Sequence, residues 1–212
     1  MSANPLPEHG ITSPDALRAL YPAARERALR KEIDHLDVHC LRFIALSPFV
    51  VLASADAALR LDASPRGGEP GFVKATDART LLIPDAPGNH RLDTLDNVAR
   101  TGRLGLLFLI PGVEETLRVN GAATLSTDPA LAACVASGTG QRRAPVVIRV
   151  QVEQAYLHCA KAFMRSRLWE PEARIDRCSL PTMGRMIADQ SGVTGAADET
   201  QEQMRQRYRD EM

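Results

Sequence analysis

The sequence predicts a mainly β fold with flanking helices (α+β), in which about six antiparallel strands form a small barrel. Short apolar segments rich in β-branched residues are separated by glycine- and proline-containing turns, as expected for strands. These segments do not alternate regularly with helical patterns, which argues against a doubly wound sheet. A chain of 212 residues can bury a core without disulfides or metals.

The strand predictions follow from composition and from alternation of apolar and polar residues. The predicted strands are Phe49–Ala55, Leu59–Leu61 (which leads into a polar loop and resumes at Gly71–Lys74), Thr80–Ile83, Arg103–Ile110, Glu115–Leu125 and Val146–Glu153. Gly121 interrupts one alternating pattern and indicates a β-bulge. The segment from Arg103 to Ile110 is apolar on both faces, so we expect it to be central or covered by a partner chain.

The helix predictions follow from apolar spacing and from capping residues. The predicted helices run from Ser13-Pro14-Asp15 to about Arg30, from Ile33 to Ala45, from an Asn89 N-cap to Gly102, from Thr127-Asp128-Pro129 to Ala136, and from Pro181 to Gln190. Residues after Ala197 are charged and form either a solvated helix or a disordered segment. We divide the chain into an N-terminal arm with helices (1–46), a barrel domain (47–170) and a helical tail (171–212).

Charge and cysteine content exclude several classes of function. The 26 basic residues balance the 26 acidic ones, so no global charge favours nucleic acid or an anionic membrane. The sequence contains no apolar segment long enough to span a bilayer and no N-terminal secretion signal. The four cysteines form no CxxC pair, so we expect a cytoplasmic protein with reduced thiols and no metal site.

The stretch from Asp62 to Asn97 carries the features of an anion site. The predicted helix that follows Asn89 begins with His90 and Arg91, and cations oppose the helix dipole unless an anion binds there. The alternative is that Arg91 pairs with a nearby aspartate on a solvated surface. Upstream, Ser64 and Arg66 lie in a glycine-rich loop that a hairpin or meander could bring to the same place.

A second basic segment follows the last predicted strand. If it is helical, His158, Lys161 and Arg165 lie on one face, and Trp169 follows a turn later. One interpretation is a contact with a phosphate or an acidic substrate, with Trp169 covering a ring system. The other is a solvated basic face in which Trp169 anchors the helix to the core.

In this order, the segments SPRGGEPGF, TLLIPDAPGNHRLDTLDNV, GLLFLIPGVEETLRVNGAATL and YLHCAKAFMRSRLW resemble the pyridoxamine 5′-phosphate oxidase-like flavoproteins, in particular bacterial members of unassigned substrate. The resemblance implies a split β-barrel, a homodimer and FMN held non-covalently at the dimer interface. The implied FMN contacts are Ser64 and Arg66 along the isoalloxazine and phosphate, Pro84 and Asp85 beside the flavin, Asn89 and Arg91 at the phosphate, and Lys161, Arg165 and Trp169 from the partner subunit.

The resemblance implies an FMN-dependent oxidoreductase that transfers a hydride to or from a small molecule. Cofactor enzymes of this kind need no essential acid or base from the protein, so no catalytic side chain is predicted. The motifs that read vitamin B6 phosphate in the oxidases themselves are not recognisable, and B6 oxidation is not expected. The alternatives are a protein that binds or stores flavin, haem or deazaflavin without turnover, and an interaction protein without a cofactor.

Overall fold

The sheet contains seven strands in the computed structural model, which describes residues 10–86, 88–136, 145–193 and 199–211. The strands are β1 (Phe49–Ala55), β2 (Leu61–Gly67), β3 (Lys74–Asp77), β4 (Thr80–Pro84), β5 (Arg103–Leu109), β6 (Thr116–Ser126) and β7 (Val147–His158). They form one sheet in the order β2-β1-β5-β6-β7-β4-β3, and all neighbours are antiparallel. The predicted mainly β fold with flanking helices is confirmed, with one strand more than the six expected.

One apolar core joins strands that lie far apart in this order. Leu52 of β1 and Ile83 of β4 are separated by three intervening strands, yet both are fully buried in the same cluster. Phe108 of β5 and Ile148 of β7 belong to it as well. A flat sheet would keep its first and last strands apart, so the sheet must curl around these side chains.

The predicted bulge in β6 is present. The pairing between β6 and β7 shifts its register between Asn120 and Gly121. A Cβ atom on Gly121 would collide with the main-chain carbonyl of Gln151, so only glycine fits this close approach. Bulges increase local twist and bend a strand, which suits a sheet that curls.

The described part of the chain contains eight α-helices. They are α1 (Pro14–Arg18), α2 (Glu26–Arg30), α3 (Val38–Leu46), α4 (Asp93–Thr101), α5 (Pro129–Val135), α6 (Lys161–Ser166), α7 (Met183–Ser191) and α8 (Gln201–Glu211). Helix α5 begins at the predicted Asp128 cap, whose side chain accepts a hydrogen bond from Ala130 N at 2.8 Å. The charged tail was predicted to be either a solvated helix or disordered, and α8 shows that it is helical.

Two helix predictions near the N-terminus were wrong. The single helix expected to reach Arg30 is two short helices, because Pro22 between them lacks an N–H and cannot continue a helix. The helix expected from Ile33 begins at Val38, after an Asp37 cap. Ile33 instead exchanges two backbone hydrogen bonds with Ala155 of β7.

Two compact units divide the chain, one ending at Glu32 and the other beginning at Ile33. The first contains α1 and α2, whose residues are exposed, and the second contains the sheet and the remaining helices. The predicted three-part division at residues 46 and 170 stays a prediction. Across the described ranges, no helix combines the length and apolar character needed to cross a bilayer.

Candidate functional site

Strand β2 includes the residues that the sequence analysis assigned to a glycine-rich loop. Ser64 and Arg66 belong to this strand and not to a loop, so that prediction was wrong. Asp62, Ser64 and Arg66 alternate with exposed neighbours and share one face. Their partners on β1 are, in the same order, Ser54, Leu52 and Val50. Because Leu52 and Val50 belong to the core, the three polar side chains lie on its side of the sheet.

Asp62 is the hub of a polar network that joins two strands and a helix. Its carboxylate accepts hydrogen bonds from Ser64 Oγ at 3.0 Å, Ser54 Oγ at 3.3 Å and Thr94 Oγ1 at 2.6 Å. Asn97 Nδ2 donates to Ser54 Oγ at 3.0 Å and extends the network along α4. Since Ser54, Thr94 and Asn97 are buried, these bonds satisfy groups that water cannot reach.

The start of α4 differs from the prediction. Asn89 is not the N-cap, because its Oδ1 accepts a hydrogen bond from Arg91 N at 3.1 Å, before the helix begins. The N-cap position is Leu92, which gives the helix no side-chain cap. His90 and Leu92 both have positive φ, 58° and 60°, a strained conformation for residues other than glycine. Such strain is often found at functional sites.

One predicted arginine, Arg91, lies at this helix start, and the other, Arg66, lies on β2. Arg91 Nε donates to Asp93 Oδ2 at 2.8 Å, so the predicted alternative of a surface ion pair is present. That hydrogen bond, and more weakly the charge of Asp62, raise the pKa of the Arg91 guanidinium. Arg66 donates to the carbonyl oxygen of Pro65 at 2.9 Å.

Asp85 lies directly after β4, which ends at Pro84 opposite Val147 of β7. Burial raises the pKa of the Asp85 carboxyl, and the positive charge of Arg66 acts in the opposite direction. The two residues are therefore electrostatic neighbours although they belong to different parts of the sheet. We name one group the β2–α4 corner: Asp62, Ser64, Arg66, Asp85, Asn89 and Arg91.

The three predicted contacts from the C-terminal segment lie on or near α6. Lys161 and Arg165 are exposed, whereas Trp169 is half-buried. The Trp169 ring stacks on Phe163 with centroids 5.5 Å apart, and its Nε1 donates to Val113 O at 2.9 Å. This arrangement matches the alternative in which Trp169 anchors the helix. His158 belongs to β7, so the predicted helical stack of His158 with the two cations was wrong.

The sequence analysis missed Asp62 as the hub of the corner. The signal was the alternation of polar residues at positions 62, 64 and 66, which is typical of a strand and not of a loop. The site assignments themselves stay predictions. The six residues of the β2–α4 corner come from β2, from the end of β4 and from the segment before α4. Helix α6 does not contribute to this group.

Comparison with known proteins identifies the family. The sequence profile described as pyridoxamine 5′-phosphate oxidase matches residues 36–159, which is more than half of the chain. The chain belongs to the pyridoxamine 5′-phosphate oxidase family. The predicted family is therefore confirmed, together with its split β-barrel fold. No curated protein matches the chain in sequence.

Solved structures of similar fold include three from bacteria. HupZ of Group A Streptococcus is 16% identical with a TM-score of 0.46, over 56% of this chain and 90% of its own. An FMN-binding protein of Syntrophomonas wolfei is 9% identical with a TM-score of 0.43, over 56% and 81%. HutZ, a haem storage protein of Vibrio cholerae, is 15% identical with a TM-score of 0.44, over 58% and 93%. At this similarity, none of them indicates the ligand of this family member.

Proposed function

We propose that this protein binds FMN and acts as an oxidoreductase that transfers a hydride to or from a small molecule. Membership of the pyridoxamine 5′-phosphate oxidase family supports a flavin. The observation that carries the proposal is the β2–α4 corner, in which Arg91 precedes a helix without a side-chain cap and interacts with the charge of Asp62. Arg66 follows on the same face of β2 and interacts with the charge of Asp85. Bound FMN would supply the hydride chemistry, while the chain supplies binding and orientation.

The corner fits a phosphate group in three respects. The free N–H groups at the start of α4 point toward an approaching anion. Ser64 adds a hydroxyl, which now donates to Asp62. The Arg91–Asp93 pair is largely exposed, with 73% and 47% of the two side chains accessible. Exposed pairs are worth about 0–1 kcal/mol, so Arg91 can exchange Asp93 for a phosphate at little expense.

Charge balance in the corner supports a site that a second chain completes. Arg66 and Arg91 contribute two positive charges, whereas Asp62, Asp85 and Asp93 are three carboxyl groups close to them. A phosphate dianion in this position would meet a region without excess positive charge. Further cations are needed, and this protein has exposed cations on α6.

Lys161 and Arg165 of a second copy are the proposed source of these cations. Both lie on one side of α6, four residues apart, and both are exposed. In a homodimer with FMN at the interface, α6 of one subunit would approach the corner of the other. FMN affinity would then depend on dimerisation, because each site would contain residues of both chains.

An apolar part of the sheet's outer face is the proposed dimer surface. Phe49, Val51, Leu107 and Leu109 lie on adjacent strands β1 and β5, opposite the core, and Phe49 is 37% exposed. Contiguous apolar patches of this kind mark interaction sites. We expect a dimer in sedimentation at micromolar concentration, and Phe49→Lys should shift it to monomer. Leu59→Lys, which changes an exposed leucine of the β1–β2 hairpin, should leave the dimer intact.

Thermal unfolding with added FMN tests the proposed cofactor. A ligand that binds the native state stabilises it by about 2.7 kcal/mol at a hundredfold excess over Kd. Arg91→Gln should weaken FMN binding at least roughly tenfold, since a charge-assisted hydrogen bond is worth about 1.5–3 kcal/mol. Arg100→Gln, on the exposed last turn of the same helix, should bind FMN as the wild type does. Equal affinities for all three proteins would contradict the proposed site.

Reduction kinetics separate an enzyme from a storage protein. The FMN-loaded wild type should be reduced by NADH or NADPH in stopped-flow measurements and reoxidised by an acceptor. A bound flavin that no added reductant reaches would favour the alternative of flavin binding without turnover.

A further inference from the structure

We propose that the outer face of β6 and β7 binds the carboxylate of a small planar substrate. The site consists of Arg118, Tyr156 and His158, with an amide pair beside them. Cross-strand pairing fixes this arrangement, because Arg118 lies opposite Tyr156 and Thr116 lies opposite His158. These side chains point away from the core, since Leu117 and Val119, which alternate with them on β6, are fully buried.

Arg118 is held by an aromatic residue and not by an acid. Its Nη1 donates to the Tyr156 hydroxyl at 2.9 Å, and its guanidinium carbon lies 5.6 Å from the centroid of that ring. In the described ranges, no carboxylate lies within ion-pair distance of Arg118. The guanidinium keeps most of its five N–H donors for another acceptor in a fixed orientation.

Arg103 shows how an arginine on the same sheet is otherwise satisfied. It lies on β5 and forms a two-point contact with Glu153 of β7, at 2.8 and 2.6 Å. That geometry is the one in which a guanidinium fork binds a carboxylate. Arg118 has the same fork available on a neighbouring strand, and an external carboxylate would complete it.

The surroundings of Arg118 favour a planar acid over a bare anion. The Tyr156 and His158 rings are 5.0 Å apart between centroids and give the site an aromatic surface. Asn120 and Gln154 form the amide pair, which lies two residues further along β6 and β7. The Asn120 side-chain amide donates a hydrogen bond to that of Gln154. On β5, Leu107 lies directly opposite Arg118 and gives an apolar surface beside the cation. A ring attached to a carboxylate on Arg118 could then pack beside Leu107, at the edge of the apolar surface proposed for the dimer.

That the ligand is the substrate of a flavin enzyme rests on the proposed function. Arg118 lies next to Leu107, which belongs to the apolar surface proposed for the dimer. The ligand would therefore lie at the border of that surface. Binding of the carboxylate itself does not require FMN. The two proposals can therefore fail separately.

Titration calorimetry of the full-length protein with benzoate, without and with FMN, tests the inference. The wild type should bind benzoate, and Arg118→Gln should weaken binding by about tenfold or more. Arg118→Lys, which keeps the charge but not the fork, should weaken it as well. Arg149→Gln removes another exposed arginine from β7 and should leave benzoate affinity unchanged.

Each outcome has a defined consequence. Benzoate binding that depends on Arg118 supports the inference, even if FMN does not bind and the proposed function fails. If FMN binds but the Arg118 variants keep the wild-type benzoate affinity, or the wild type does not bind benzoate, the inference is overturned. Inorganic phosphate should bind more weakly than benzoate, and a reversed order would overturn the planar-acid assignment.

Discussion

Replacing Asp62 by asparagine should destabilise the fold by about 2–3 kcal/mol. The carboxylate accepts three hydroxyl hydrogen bonds, from Ser54, Ser64 and Thr94, and the shortest is 2.6 Å. A hydrogen bond to a charged group contributes roughly 1.5–3 kcal/mol. The amide of the variant would keep one acceptor oxygen without the charge, and its nitrogen would face donors. The expected loss is therefore that of one to two such bonds, not of all three.

Urea unfolding followed by circular dichroism measures this loss. Thr94→Val removes the shortest bond and should destabilise by about 1–2 kcal/mol, because Thr94 is buried. The double variant should be less destabilised than the sum of both, since the two residues share one bond. Asp96→Asn, an exposed change on the same helix, should alter stability by less than about 1 kcal/mol. A stable Asp62→Asn variant, or additive effects with Thr94→Val, would refute the hub role of Asp62.

Three further predictions concern other parts of the fold. Gly121→Ala should destabilise by roughly 1–3 kcal/mol or more in urea unfolding, because its Cβ would collide with Gln151 O; wild-type stability would contradict the bulge. Arg79 lowers the pKa of Asp34 from 3.8 to about 2, so this pair stabilises the native state above pH 4. Its contribution should disappear as the pH falls from 4 toward 2, and an Asp34→Asn variant whose deficit does not shrink over that range would exclude it. Burial raises the pKa of Cys40 to about 11, whereas the other three cysteines are exposed. A thiol reagent should therefore label those three rapidly and Cys40 only on unfolding. Rapid labelling of all four would contradict the burial of Cys40.

Local patterns predicted most of the sheet. The apolar strand from Phe49 to Ala55 has the expected bounds, and the bulge at Gly121 and the cap at Asp128 lie where the sequence indicated. These features depend on residues close in sequence and on the period-two pattern of a half-buried strand. Such signals need no knowledge of tertiary contacts.

Most of strand β2, after its first residue, was missed because its sequence resembles a turn. Pro65 and the glycines that follow are typical of loops, but β2 is an edge strand and can contain a proline. The start of α4 was misplaced for a related reason. Asn89 has the side chain of an N-cap, but it bonds to Arg91 N in the preceding turn.

Tertiary contacts account for the rest of the candidate site. The sequence indicated the cations of the corner, Arg66 and Arg91. It did not show that Asp62 gathers hydroxyls from two strands and a helix. Nor did it show that Arg118 meets Tyr156, because these residues are 38 positions apart and meet only through strand pairing.

Mass spectrometry of the ligand released on denaturing the purified full-length protein tests the central claim most directly. The account predicts FMN, at about one equivalent per chain, from the wild type, and much less from a variant lacking both Arg66 and Arg91. A wild type that releases no flavin, and whose unfolding temperature does not rise with added FMN, would contradict it.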